Sequence, residues 1–242
     1  MSAASDAFEK KVADGINKLK GYKAERPSVG TGFSDVKITK NPKDSKNYWL
    51  EVKMNHTDNL SNPRVFYHSG KWQTTYSTPA AKAAVDVLNK SAQAKAFITA
   101  IAKFAGIAVN KVKIPTTKSG LKEEGAVPLD VMKAYFDKPG VNRYIANQEN
   151  YDLGKLVTEH YTEGKTEPAY YMQAADDFYL ISTKNPLKLD KKIPVLKGKG
   201  DFKVRISTRS EFYEVQAEIK ISSMPNSNYS VLLGTNKTNP LL

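Results

Sequence analysis

Two short segments near the N-terminus alternate polar and apolar side chains with the period of a β-strand, and a polar turn joins them. The segments are residues 35–39 and 48–54, and alternation of this kind is typical of strands with one buried face. Residues 41–47 between them read Asn-Pro-Lys-Asp-Ser-Lys-Asn, which are turn-forming and charged residues. The sequence therefore predicts an antiparallel hairpin.

The position of the turn sets the register of this hairpin. A turn centred near Lys43 pairs strand positions whose numbers sum to about 86, which places Asp35 opposite or diagonal to Glu51, about 4.5–8 Å away. Alternation then puts Lys53 on the same face as Glu51. The apolar residues of both strands point the other way, into a core: Val36, Ile38, Leu50 and Val52. We expect one charged face and one buried face.

Two carboxylates and an ammonium on one face can hold a divalent cation and a water beside a phosphodiester. Mg²⁺ takes oxygen ligands, so Asp35 and Glu51 are predicted to bind it, with Mn²⁺ as an alternative ion. A bound metal ion lowers the pKa of its water and neutralises charge on the phosphate. Lys53 is expected to orient that water and stabilise the developing charge. Asp35, Glu51 and Lys53 are thus the predicted catalytic residues.

A third acid is expected from a helix that precedes the hairpin. Residues 6–20 have apolar side chains at helical spacing, at Phe8, Val12, Ile16 and Leu19. Glu9 lies near the start of this helix and is predicted as a further metal ligand. Glu25 remains open as a weaker candidate for the same role.

These residues resemble the pattern of the PD-(D/E)XK nuclease superfamily, in which an acid starts one strand of a hairpin and (D/E)-x-K follows on the next. Asp35, Glu51 and Lys53 match that pattern, and the resemblance covers residues 6–76. Ser34 stands where the name-giving proline would be. The resemblance implies an α/β restriction-endonuclease-like fold, in which a central mixed β-sheet is flanked by helices and carries additional C-terminal strands.

A second copy of the pattern lies near the C-terminus. Asp201 begins the strand candidate 201–206, and Glu218 and Lys220 form an acid-x-lysine sequence in the next strand candidate, 212–221. This hairpin ranks second because Asp201 follows a glycine- and lysine-rich segment and no acidic amphipathic helix directly precedes it. Asp201, Glu218 and Lys220 remain an alternative site.

The charge balance favours an anionic partner. The chain has 37 Lys and Arg against 25 Asp and Glu, a net charge of +12, which favours polyanions through counterion release. Basic residues are interleaved with aromatic ones, as in residues 64–72, which is typical of a folded basic surface. DNA is the predicted partner, although basic residues alone do not distinguish DNA from RNA.

Other chemistries have little support in the sequence. The absence of cysteine excludes disulfides and thiolate metal sites. The histidines at 56, 68 and 160 lack the spacing of a zinc site, and no glycine-rich phosphate loop indicates NTP hydrolysis. His56 follows Lys53 by three residues and is a candidate for phosphate contact, although an exposed loop histidine is the commoner case.

The chain is predicted to be a single nuclease domain over residues 1–242, with a catalytic core over 6–110 and a C-terminal elaboration over 111–242. The sequence predicts one long helix or two over 79–104, with a candidate break near Ser91, and further helices over 129–136 and 141–161. Further strands are predicted at 64–68, 170–172, 178–182 and 202–221. No long apolar run or signal sequence is present, so we expect a soluble, cytoplasmic protein with no membrane partner.

The expected function is that of a Mg²⁺-dependent DNA endonuclease, a phosphodiester hydrolase of the sequence-specific restriction or homing type. Two alternatives remain open: a structure-specific repair or phage nuclease, and a non-catalytic basic protein that binds nucleic acid. A homodimer would let two sites cut both strands, but nothing in the sequence demands one.

Overall fold

The computed structural model describes residues 3–27, 34–56, 59–61, 64–163, 165–219 and 226–242. In chain order, the helices are α1 (Ala3–Asn17), α2 (Pro79–Lys90), α3 (Ala92–Ala105), α4 (Leu129–Phe136) and α5 (Leu153–Thr162). The strands are β1 (Lys23–Glu25), β2 (Val36–Lys40), β3 (Tyr48–Lys53), β4 (Asn59–Ser61), β5 (Val65–His68), β6 (Lys71–Thr74), β7 (Tyr144–Asp152), β8 (Ala169–Ala174), β9 (Asp177–Leu180), β10 (Lys199–Thr208) and β11 (Tyr213–Ile219). The fold is therefore mixed α/β.

The chain divides into two compact units. The first unit comprises residues 1–58, 157–198 and 221–242, and the second comprises residues 59–156 and 199–220. Residues 59–110, which belong to the expected catalytic core, therefore lie in the second unit. The assignment of the whole chain to one nuclease domain stays a prediction.

The first unit is built on a five-stranded mixed sheet. The strand order is β1-β2-β3-β8-β9. Neighbouring strands run antiparallel except for β3 and β8, which are parallel. A parallel pair needs a long connection, since the chain must return to the same end of the sheet. This sheet, flanked by helices, confirms the coarse part of the predicted fold.

The predicted hairpin register is confirmed. Val36 lies opposite Leu50, and Ile38 lies opposite Tyr48, so the numbers of paired residues sum to 86. The apolar residues of this face are buried in the core of the first unit, as the alternation predicts. Register is well specified here because a slip of one residue would turn that entire apolar set to the other face, where the charged residues lie.

Helix α1 covers the apolar face of this sheet. Its buried residues include Val12, Ala13 and Ile16, which share a core cluster with the sheet. Gly15 allows a close approach on the same side of the helix, because a Cβ there would lie 2.3 Å from the carbonyl oxygen of Val231. The helix predicted over 6–20 is thus present, shifted by three residues toward the N-terminus.

The second face of β3 is also buried, contrary to the expectation of an open charged face. Glu51 is 6 % exposed, and the Lys53 side chain is 17 % exposed. The central position of β3 explains this, since strands lie on both sides of it and parallel pairing usually accompanies burial of both faces. The charged side chains therefore lie in an environment largely shielded from water.

The second unit contains a four-stranded antiparallel sheet, in the order β4-β11-β10-β7, and the hairpin of β5 and β6. Helices α2 and α3 meet at Ser91, which confirms the predicted break. The N–H of Ser91 donates to carbonyl oxygens of α2, and its Oγ accepts a 3.2 Å hydrogen bond from the N–H of Ala94 in α3. One residue thus ends one helix and caps the next.

The helix predicted over 141–161 is wrong in its first half, where residues 144–152 form β7. This strand pairs antiparallel with β10, with Ala146 opposite Val204. The pairing with a strand about 60 residues away outweighs the local sequence preference, which is context-dependent for strands. Helix α5 begins only at Leu153, where Asp152 Oδ1 accepts a 2.9 Å hydrogen bond from the N–H of Lys155.

The remaining predicted elements agree with the structure. Strand β5 and helix α4 lie at the predicted positions, as do β8, β9 and the β10–β11 hairpin. In the part of the chain that the structure describes, no helix has the length and apolar character needed to cross a membrane.

Candidate metal and phosphodiester site

The β2–β3 hairpin brings the three predicted catalytic side chains together. Asp35 lies one residue before β2, and its Oδ2 accepts a 2.9 Å hydrogen bond from the backbone N–H of Val52. Glu51 and Lys53 lie on the same face of β3, and Lys53 Nζ is 2.6 Å from Glu51 Oε1. Two carboxylates and one ammonium therefore share a buried site, as the alternation predicts.

Asp35 and Glu51 repel each other in this site. Burial, followed by the charge of Glu51, raises the pKa of Asp35 to about 8, although Lys53 and the N–H of Val52 act in the opposite direction. Burial also lowers the pKa of Lys53, but the nearby carboxylates outweigh that effect and hold it well above its ordinary value. A cation bound between the two carboxylates would favour the ionised form of Asp35.

The donor set suits a hard divalent cation. Mg²⁺ is commonly held by one or two protein carboxylates and completes its octahedron with water and phosphate oxygens. Asp35 and Glu51 supply such a pair, and their mutual repulsion is what a cation would relieve. Across the described residues, no three His, Cys, Asp or Glu side chains converge closely enough to hold a metal ion. The fit to a divalent cation rests on Asp35 and Glu51 alone.

Glu9, the predicted third ligand, is engaged by a cation of the protein itself. It is buried in α1, where Arg26 Nε donates to its Oε2, and Arg26 Nη2 lies 2.5 Å from Asp6 Oδ1. Glu9 is close enough for its charge to contribute to the raised pKa of Asp35. Glu25, the weaker candidate, is exposed on β1. Their roles as metal ligands stay predictions.

Two further polar side chains at the site were not found from the sequence. Tyr161 in α5 is buried with its ring centre 5.8 Å from Lys53 Nζ, and its hydroxyl has no hydrogen-bond partner among the described residues. His160 beside it is also buried, and within the same set of residues its Nδ1 has no partner. Burial raises the pKa of Tyr161 and lowers that of His160 to about 4. The signal was their spacing after Val157, because positions i+3 and i+4 of an amphipathic helix lie on its buried face.

His56 contacts the carboxylate of a buried ion pair and is not a free loop histidine. Its Nε2 lies 3.0 Å from Oδ2 of the buried Asp177, and Lys237 contacts another oxygen of the same carboxylate. The register of the sheet aligns Asp177 with Lys53 through Ala174, so both side chains lie on the same face. The sequence could not reveal these contacts, since the residues that make them are far apart in the chain.

The alternative hairpin does not gather its acids in the same way. Lys203 lies opposite Glu218 in the β10–β11 pair and is 3.7 Å from Asp201. Glu218 is buried and accepts a 2.6 Å hydrogen bond from the hydroxyl of Tyr144. Lys220, the predicted lysine of this copy, lies outside the described residues. The two acids thus have separate partners.

Comparison of the chain with protein families, with curated proteins and with solved structures finds no match. The resemblance to the PD-(D/E)XK pattern therefore rests on Asp35, Glu51 and Lys53 and on the hairpin that carries them.

Proposed function

We propose that this chain is a Mg²⁺-dependent DNA endonuclease of the PD-(D/E)XK type that hydrolyses phosphodiester bonds at Asp35, Glu51 and Lys53. One observation carries the proposal: a hairpin in the predicted register holds two mutually repelling carboxylates and a lysine in one buried site. Strongly shifted carboxyl pKa values cluster at functional sites, where burial and like charges are brought together, so the raised pKa of Asp35 supports the proposal.

Asp35 and Glu51 would hold the metal ion, with Mn²⁺ able to replace Mg²⁺. The ion would supply a water of lowered pKa and neutralise charge on the scissile phosphate. Lys53 Nζ lies 2.6 Å from Glu51 Oε1, and its ammonium would donate to the attacking water and to the phosphate oxygens. A preorganised cation of this kind stabilises charge that develops in the transition state.

Tyr161 acts as a positioning residue for Lys53. Its ring packs beside the ammonium at 5.8 Å, and burial keeps its hydroxyl protonated at neutral pH. A lysine stem has several rotatable bonds, so a neighbouring aromatic ring restricts where the ammonium can go. The unpartnered hydroxyl is available to donate to a group that enters the site.

Charge and architecture support DNA as the substrate and a restriction or homing type of enzyme. The net charge of +12 favours a polyanion. A mixed sheet flanked by helices is what a restriction-endonuclease-like fold requires. The second compact unit lies outside the proposed site and is available for recognition elements.

The non-catalytic alternative is favoured by a different observation. Glu51 pairs with Lys53, and Glu9 pairs with Arg26, so these charges are already neutralised within the protein. A basic protein that only binds nucleic acid would need no metal ion and no catalytic role for these charged residues. The two functions differ in what they require of Asp35, which forms no ion pair with any residue that the structure describes.

The test is incubation of the purified protein with supercoiled plasmid and with linear duplex, in Mg²⁺ or in EDTA. Asp35→Asn and Lys53→Met remove one group each with little change in volume, and Asp14→Asn is the matched control at an exposed position of α1 in the same unit. We expect metal-dependent cleavage that both site variants lose and the control keeps. Absence of cleavage on every substrate, with DNA binding intact, would favour the non-catalytic alternative.

A further inference from the structure

The second unit carries a lysine-rich surface around two adjoining cavities near Trp72. The larger cavity, of about 520 Å³, is lined by residues from β6 and α2, including Lys71, Lys82 and Lys90. The smaller one, of about 210 Å³, adds Lys95 from α3 and shares Trp72 and Asn89 with the first. All four lysines are exposed. They are called the lysine surface below.

Local structure explains why these lysines face outward. Helix α2 buries its alanines together with Val87 and Leu88, which leaves Lys82 and Lys90 on the opposite side. The N–H of Trp72 donates to Asn89 Oδ1, and Asn89 Nδ2 donates back to the Trp72 carbonyl, so the β5–β6 hairpin is fixed against α2. The backbone that carries the lysine surface is therefore held in place by hydrogen bonds between the hairpin and α2.

The lysine surface has little internal neutralisation. Asp86 is the one acid lining either cavity, and it pairs with Lys90 at 2.8 Å. Lys71, Lys82 and Lys95 form no ion pair with any described residue. Ammonium groups left unpaired at the surface create a positive potential that raises the local concentration of anions.

The charge of the chain is also concentrated in this unit. The second unit has 19 Lys and Arg against 11 Asp and Glu, a net charge of +8, whereas the first has 18 against 14, a net charge of +4. The unit with the smaller buried acid content thus supplies two thirds of the excess positive charge.

We propose that the lysine surface binds the phosphate backbone of duplex DNA. The identification of the polyanion as DNA rests on the proposed function, whereas the location of the surface rests on the cavities and their lysines. Flexible ammonium groups suit phosphates as point charges and carry no base specificity, so this surface supplies affinity and register. Sequence reading is then left to other groups.

The test is the binding of a fluorescently labelled duplex of about thirty base pairs, in EDTA, as salt rises from roughly 50 to 200 mM. The variant replaces Lys71, Lys82, Lys90 and Lys95 by Gln. Its matched control replaces four exposed lysines in or just after α1, which changes the net charge equally: Lys10, Lys11, Lys18 and Lys20. Circular dichroism melting verifies that both proteins fold. If the fourfold variant does not fold, the single substitution Lys82→Glu at an exposed position replaces it in the binding measurement.

We expect the lysine-surface variant to bind DNA about tenfold more weakly or worse, and to lose about 0.9 from the salt slope for each lysine that contacts a phosphate. The control should change affinity by less than about threefold, since α1 interleaves its lysines with acids. Equal weakening in both proteins, or no weakening in either, would overturn the proposal. Because EDTA prevents cleavage, this binding measurement does not depend on nuclease activity. If the lysine-surface variant binds DNA more weakly and the wild type cuts no substrate, the proposal for the lysine surface holds and only the proposed function fails.

Discussion

The two compact units differ in where they keep their charge. Among the described residues, the first unit buries the carboxylates Glu9, Glu51 and Asp177, whereas the second buries Glu218. The second unit instead displays its excess of positive charge on exposed lysines. Burying a charge is costly even when it is paired, while an exposed lysine costs little. The two proposals assign different roles to the units on this basis, namely catalysis to the first and binding of a polyanion to the second.

Within the first unit, Asp35 differs from the other acids. Glu9 pairs with Arg26, Glu51 pairs with Lys53, and Asp177 pairs with Lys237. Asp35 has a backbone hydrogen bond, and its pKa is raised to about 8. A carboxyl whose ionised form is disfavoured by its surroundings is a candidate for binding a cation.

The largest expected effect is on metal binding. Titration of Mn²⁺, followed by water proton relaxation, should show a site in the wild type that Glu51→Gln weakens about a hundredfold or more, because a ligand oxygen is lost. Glu218→Gln is the matched change in the second unit, where the amide can still accept from Tyr144. It should leave the affinity unchanged. Equal loss in both variants, or in neither, would remove the distinction between the units.

The next largest effect is on the free energy of unfolding, when a buried carboxylate and an exposed one are removed in turn. Asp177→Ala should lower the free energy of unfolding by about 2 kcal/mol, because it leaves the buried N–H of Ser227 without its acceptor and removes one of the two carboxylates that pair with Lys237. Asp86→Ala on the exposed face of α2 should change it by less than about 0.5 kcal/mol. Urea denaturation measures both. Similar losses would mean that burial of charge does not separate the units energetically.

The pH dependence of stability should be set by the first unit. Asp35 has a folded pKa of about 8, above its ordinary value of 3.8, so its stabilising contribution is complete at low pH and is lost as the pH rises toward 8. His160, with a folded pKa of about 4 below its ordinary 6.5, acts oppositely and is destabilising as the pH falls through that interval. Between pH 6.5 and pH 8, Asp35 is the one of these two groups that still contributes, and it should lower the free energy of unfolding by about 2 kcal/mol.

Chemical denaturation without metal at pH 6.5 and pH 8 measures this slope. Asp35→Asn should abolish it, because the amide does not titrate, and Mg²⁺ should reverse it in the wild type by binding the ionised pair. A slope that persists in Asp35→Asn would assign it to another group.

The smallest effect concerns two buried tyrosine hydroxyls. Tyr213 in the second unit donates a 3.0 Å hydrogen bond to the carbonyl of Val127, whereas the hydroxyl of Tyr161 has no partner among the described residues. Tyr213→Phe should therefore cost about 1 kcal/mol, and Tyr161→Phe should be neutral or stabilising. If Tyr161 also positions Lys53, its variant lowers kcat with little change in KM. Equal destabilisation by both changes would show that Tyr161 already has a structural partner.

The sequence predicted the hairpin and its register because both depend on short-range information. The turn after Asn41 and the alternation around Ile38 and Leu50 determine which residues face each other. The pairing of two strands joined by one short turn can be predicted from the length and sequence of that turn, without information about the rest of the chain. For this reason Asp35, Glu51 and Lys53 were found together before the fold was known.

Contacts between distant segments were not predictable in the same way. The parallel pairing of β3 with β8 buries Glu51, although 115 or more residues separate their ends. Residues 144–152 were predicted to be helical from local sequence, but they form a strand because they pair with the distant strand β10. Tyr161, His160 and Asp177 join the site through these long-range contacts, so their roles followed only from the structure.

Cleavage of supercoiled plasmid in Mg²⁺ by the wild type, Glu51→Gln and Glu218→Gln is the decisive experiment for the proposed site. We expect the wild type and Glu218→Gln to cut the plasmid, EDTA to stop both, and Glu51→Gln to be inactive although it folds. Cleavage that survives Glu51→Gln and is lost in Glu218→Gln would overturn the proposed site and move it to the hairpin of Asp201 and Glu218.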